Sequence, residues 1–162
     1  AATGGRLVHG RMRALRFSGG EAAHVRTIVE AHSRPARLSR GETVTRRSIY
    51  RYFRDTGDAG VDTVLLSLAD RLAAWGPDLE QARWVRHLEV AELLLHHFFE
   101  RRQETVDPVL PIDGHDLIRA LDLEPGPEVG RLLELLREAV AAGEVEPAEE
   151  ALQLARESVR RS

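Results

Sequence analysis

The sequence predicts an all-α protein, a helical body lobe followed by a small three-helix tail. Three observations carry that expectation. Apolar residues recur at helical spacing through most of the chain. No segment alternates apolar and polar residues long enough to read as a strand. The breaks between periodic segments hold capping residues, glycines and prolines that start and stop helices.

Each element follows in order. Leu7, Met12 and Leu15 make a weak apolar stripe in a first helix ending near Arg16. Ser18-Gly19-Gly20-Glu21 is a capping box, in which the Ser hydroxyl accepts from the Glu21 amide and the Glu carboxylate reaches back. The helix it opens carries Ala22, Val25, Ile28 and Val29 and runs to about His32, before Pro35 pushes its predecessor out of the helical region. Residues 33–44 read as a basic loop. Thr45 caps a short helix through Phe53, and the stretch from Asp55 to Gly60 is a turn-rich break. Val61, Val64, Leu65, Leu68 and Leu72 share one face of the next helix. Gly76-Pro77 stops it. A long helix then runs from Asp78 to about Gln103, with a stripe of Trp84, Val85, Leu88, Ala91, Leu94, Leu95, Phe98 and Phe99 that demands burial. Residues 105–113 hold Pro108 and Pro111 and read as the linker between a body at 1–105 and a tail at 106–162. The tail helices fall at about 114–121, 127–142 and 147–161, with Pro127 suited to a first helical position and Gly143 to the residue past an end.

Charge is split along the chain. The net formal charge of the 162 residues is -3. Residues 1–54 carry 12 Arg against 3 acids, a balance of +9, and residues 55–162 carry 11 Arg against 23 acids, a balance of -12. There is no Lys. Such asymmetry points the basic half toward a polyanionic partner or toward the acidic half itself. No apolar run approaches the ~20 residues of a membrane span, and no signal-peptide pattern opens the chain. The absence of Cys excludes disulfides, thiolate metal sites and a Cys nucleophile, and fits a cytoplasmic protein. Acyl-transfer elbows, P-loops and Rossmann fingerprints are absent. The opening Ala1-Ala2-Thr3-Gly4-Gly5, without Met, reads as the cut start of a longer protein, an expression remnant being the plainer alternative.

Arg34, Arg37, Arg40, Arg46, Arg47, Arg51 and Arg54 form the best nucleic-acid candidate. Arg47, Arg51 and Arg54 share one helix face, beside Tyr50, Tyr52 and Phe53. Guanidinium on phosphate with aromatic stacking is a common way to hold single-stranded RNA. The competing readings are that Ile49, Tyr52 and Phe53 are core and that the arginines pair with acids such as Asp55, Asp58 and Asp62. Gly126, Gly130 and Arg131, around Pro127 at the start of a helix, form a second candidate, through amides that can bind an anion. There the acids Glu124 and Glu128 oppose phosphate, and a compact helix junction is the alternative. His115-Asp116 falls in the first turn of a helix capped by Asp113, and the adjacent His96-His97 point about 100° apart and cannot chelate one metal.

Several strings carry a family resemblance. Gly114-His115-Asp116-Leu117, Leu123-Glu124-Pro125-Gly126-Pro127-Glu128-Val129-Gly130, Ala142-Gly143-Glu144 and Glu149-Glu150-Ala151-Leu152 resemble, in order and spacing, the C-terminal tail of bacterial tRNA nucleotidyltransferases and poly(A) polymerases. Leu15-Arg16-Phe17-Ser18, His32-Ser33-Arg34-Pro35, Tyr50-Arg51-Tyr52-Phe53-Arg54-Asp55 and Leu68-Ala69-Asp70 resemble the later part of that family's HD-type phosphohydrolase domain. The resemblance implies a tRNA-positioning body and tail with no catalytic residues of its own. The Gly-Ser motif and paired aspartates of the catalytic head have no match, so Mg, nucleotide and transfer activity are expected only in a parent chain that includes the head. Asp70, alone among leucines and alanines, and His32 match HD metal-ligand positions, although no metal site is expected without their partners. The plainer readings are a buried Asp70 paired with an Arg and a His32 that meets the last carbonyls of its helix. The alternative function is an incomplete metal-dependent HD phosphohydrolase. The expected partner is RNA, in particular tRNA, and not a membrane.

Overall fold

A computed structural model of the chain describes residues 2–41 and 43–161. Among them are nine α-helices and no strand: α1 (Ala2–Ala14), α2 (Gly19–Ala31), α3 (Arg34–Leu38), α4 (Arg46–Thr56), α5 (Ala59–Trp75), α6 (Gln81–Glu100), α7 (Gly114–Leu121), α8 (Pro127–Ala142) and α9 (Ala148–Arg160). A 3-10 turn covers Gly76–Asp78 and a π-helical turn Arg102–Val106. The chain divides into two compact units, Ala1–Val44 with Tyr52–Phe99, and Thr45–Arg51 with Glu100–Ser162. The second unit thus takes in residues 45–51 and 100–105, which lie on the body side of the border expected at 105.

In the first unit the capping box forms as its sequence dictates. The Ser18 oxygen accepts from the Glu21 amide at 3.2 Å, and the Glu21 carboxylate accepts from the Ser18 amide at 2.8 Å. Those bonds hold the Glu21 carboxyl below its ordinary pKa. α1 packs on α2, and α2 and α3 pack on α5. The expected loop at 33–44 is corrected at its start by α3, in which Pro35 is buried in the first turn. Proline is tolerated there because the first-turn amides need no helical acceptor.

α5 corrects a second expectation. Its inward face is Ala59, Gly60, Thr63, Val64 and Ser67, whereas Leu65, Leu66 and Leu72 are 52%, 39% and 48% exposed. Hydroxyls replace leucines inside because each is bonded: Thr63 donates to the Ala59 carbonyl at 2.7 Å, and Ser67 lies 3.1 Å from Nε2 of the buried His87. The expected α6 stripe is likewise only partly inside. Val90, Ala91 and Leu94 are buried with His87 and His97, while Val85, Leu88 and Phe99 are exposed.

His87 makes the first unit sensitive to pH. Burial, and then the charge of Arg71, holds its imidazole below the ordinary value of 6.5. The unfolded chain therefore takes up this proton more readily than the folded one. Its contribution to stability is complete above about pH 6.5 and is lost as pH falls below that value through the lower folded-state pKa. Urea midpoints of the wild type should drop between pH 7.5 and 5.5, and those of His87→Gln should drop less. Equal drops in both would refute the assignment.

The second unit encloses one apolar cluster of Ile112, Leu117, Val129, Leu132, Leu136, Ala139, Val145, Ala151 and Ala155. Asp113 caps α7 as expected, accepting from the Asp116 amide at 2.9 Å while Asp116 accepts from the Asp113 amide at 3.0 Å. Gly143 ends α8 with φ 75°, a left-handed conformation that glycine adopts without steric cost. The expected linker is not solvated throughout: Thr105, Val106, Pro108 and Ile112 are buried.

Candidate functional site

The arginine face is folded into ion pairs. In the first unit, Arg34 lies 3.0 Å from the Asp55 carboxylate, and Arg54 binds the same group at 2.8 Å. Burial alone would raise the Asp55 carboxyl, but the Arg54 hydrogen bond and the Arg34 charge outweigh it and hold its pKa below the ordinary value. In the second unit, Arg47 meets Glu138 at 3.1 Å and Glu144 at 2.6 Å, and Arg51 also bonds Glu138. Arg46 donates to the Ala141 carbonyl at 3.0 Å. Arg37 and Arg40 differ: both are exposed at and after α3, and neither has an ion pair among the described residues.

The aromatics of α4 form no stacking surface. Ile49, Tyr50, Tyr52 and Phe53 are all buried, at 1%, 3%, 0% and 2% exposure. The Tyr52 hydroxyl donates to the Gly60 carbonyl at 2.7 Å, and the Tyr50 hydroxyl to Glu134 at 3.1 Å. The core reading of these side chains is the correct one.

In the second unit, Gly126 and Gly130 border an open cavity of about 340 Å³ between the starts of α7 and α8. A Cβ at either glycine would meet nothing within 4 Å. Their backbone is therefore accessible to a ligand. Arg131 is engaged with Glu128 at 2.9 and 2.6 Å and with Ser158 at 3.1 Å. The Glu128 bond holds the Arg131 guanidinium above its ordinary pKa.

The two metal-ligand candidates are placed differently. Asp70 is exposed, which corrects the expectation of a buried carboxylate: it follows Ser67 and Thr63 on the same face of α5 but lies toward the end of that helix, past its buried stretch. His32 caps α2, and its Nδ1 lies 2.8 Å from the Val29 carbonyl. Among the described residues no three His, Asp or Glu side chains come together as a metal site. His97 is buried and His96 exposed, and His115 lies beside the Gly126 cavity.

One grouping escapes sequence reasoning. Arg40, Arg71, Trp75, Arg83 and Arg86 line a single cleft of the first unit. They come from the segment after α3, from α5 and from α6, so no spacing in the sequence marks them.

Comparison with known proteins places the chain. The family model of tRNA nucleotidyltransferase domain 2 matches residues 78–155. The A-adding tRNA nucleotidyltransferase of Deinococcus radiodurans is 31% identical over 160 residues, covering 92% of this chain and 35% of that protein. The CC-adding tRNA nucleotidyltransferase of Thermus thermophilus is 36% identical over 110 residues, covering 65% of this chain and 22% of that protein. The chain thus spans about a third or less of the length of these curated relatives. No solved structure matches it significantly. These matches, in keeping with the all-helical fold, relate the chain to the tRNA nucleotidyltransferase family.

Proposed function

We propose that this chain holds tRNA as the body and tail of a tRNA nucleotidyltransferase, and that nucleotidyl transfer resides in a catalytic head these residues do not include. The head would supply the sites for nucleotide and Mg. The observation that carries the reading is the likeness to the A-adding enzyme along 92% of the chain. It is supported by the absence of any Gly-Ser motif with paired aspartates.

The geometry narrows which groups would meet phosphate. Arg37 and Arg40 are exposed and have no carboxylate among the described residues. Arg34, Arg46, Arg47, Arg51, Arg54 and Arg131 are already bonded within the fold, so phosphate must compete for them. Where such pairs are exposed they are worth about 0–1 kcal/mol, so the exchange is affordable there. The backbone at Gly126 and Gly130 offers amides near a helix N-terminus, a geometry that suits an anion without a net positive surface.

The purified chain should retard tRNA in a native gel and should incorporate no labelled CMP or AMP into it when given CTP, ATP and Mg. Incorporation by the chain alone would overturn the placement of transfer chemistry elsewhere. Failure to bind tRNA would overturn the holding role.

A further inference from the structure

We infer that the arginine-lined cleft of the first unit is a nucleotide-phosphate site, binding phosphate through its guanidinium groups and a neighbouring base on Trp75. The inference rests on the reading above for its phosphate source, an RNA strand. The cleft has a volume of about 520 Å³, within the ~300–1,000 Å³ typical of small-ligand sites. Arg40, Arg71, Arg83 and Arg86 converge on it, with Trp75 and Ser39, and among the described residues no carboxylate lines it.

Arg40, Arg71 and Arg83 are available to an anion. Arg40 and Arg71 have no ion pair among the described residues. Arg83 pairs with Glu80 at 2.9 Å and Arg86 with Glu89 at 3.2 Å, both carboxylates being more than half exposed. Such surface pairs yield readily to a better partner. The Arg71 Nε is buried with no hydrogen-bond partner among the described residues, a state that favours an added acceptor. Arg71 also lowers the pKa of the buried His87, so its charge is felt inside the unit and not only by solvent.

The aromatic component distinguishes a nucleotide from a bare anion. Trp75 is half exposed, and the Arg71 guanidinium lies 5.7 Å from its ring centroid. That cation–π contact orients a planar fork suited to bidentate contact with phosphate. An exposed indole beside such a fork is the arrangement on which unpaired bases stack.

The test uses the whole chain and its tryptophan signal. The chain has two Trp, so Trp84→Phe leaves Trp75 as the only one. Titration of this protein with AMP should quench its fluorescence at lower concentration than inorganic phosphate does. In filter binding, Arg40→Ala and Arg83→Ala should each weaken tRNA affinity about tenfold, as loss of a charge-assisted bond predicts. Trp75→Ala should weaken it as well, and Arg119→Ala, a substitution in α7, should leave it unchanged. Both arginines are exposed, so folding should be preserved, and circular dichroism checks it. If tRNA binds and the cleft variants bind it as tightly as wild type, the cleft assignment falls and the tRNA reading stands. If AMP quenches but tRNA does not bind, the phosphate chemistry stands with a free nucleotide as its source, and the tRNA reading falls. If neither ligand binds, both fall.

Discussion

Tyr52→Ala should destabilise the first unit by about 3–5 kcal/mol, the range for removing a large buried aromatic. The ring is fully buried and packs edge-on to Phe53 with centroids 4.9 Å apart. The Arg34 guanidinium lies 5.5 Å from its centroid, and its hydroxyl bonds the Gly60 carbonyl. Burial pushes the phenol above its ordinary pKa, so it remains a donor throughout the usual pH range. The fit leaves little slack, since a Cβ at Gly60 would come within 2.8 Å of the Phe53 ring. Tyr52→Phe isolates the hydroxyl. It should cost about 0.5–1.5 kcal/mol, the net contribution of one hydrogen bond, since the Gly60 carbonyl keeps its helical partner in α5. Urea unfolding followed by circular dichroism measures both. A loss under 1 kcal/mol for Tyr52→Ala would show that the ring does not organise this core.

Leu136→Ala should cost the second unit about 2–5 kcal/mol. Leu136 is fully buried in α8 within the apolar cluster formed with α7 and α9. α8 also presents Glu134 and Glu138, which bond Tyr50 and Arg51. Loss of its packing should therefore lower the unfolding transition of this unit and expose Arg47 and Arg51 together. Hydrogen exchange read at residues 114–160 would locate the effect. If protection there were unchanged, the cluster would not be the element that holds the unit together.

Much of the local structure was legible because it is encoded locally. The Ser18 and Asp113 capping boxes and the Gly143 stop each depend on residues within a few positions, and each forms. The inward face of α5 was not legible. Periodicity assigns the interior to leucines, whereas Thr63 and Ser67 occupy it because their hydroxyls find acceptors or partners that no spacing reveals. The same limit governs the site. Arg47, Arg51 and Arg54 were legible as a cationic helix face, but Arg47 pairs with Glu144, 97 positions on, and Arg51 with Glu138, 87 positions on. Asp70 seemed inward only because its neighbours are apolar, and those neighbours are themselves partly exposed. The placement of Gly126 and Gly130 at an open helix start was legible because it is local. The arginine cleft was not, because three separate segments build it.

The central claim is that this chain holds tRNA through its phosphates, and the dependence of affinity on salt tests it most directly. Each phosphate neutralised by an arginine releases counterions, so log affinity should fall linearly with log salt at about 0.7–0.9 per contact. With a few contacts from the exposed arginines, affinity for tRNA should fall about tenfold to a hundredfold between 50 and 200 mM NaCl. Affinity that stays flat across that range, or no measurable binding at 50 mM, would contradict the claim.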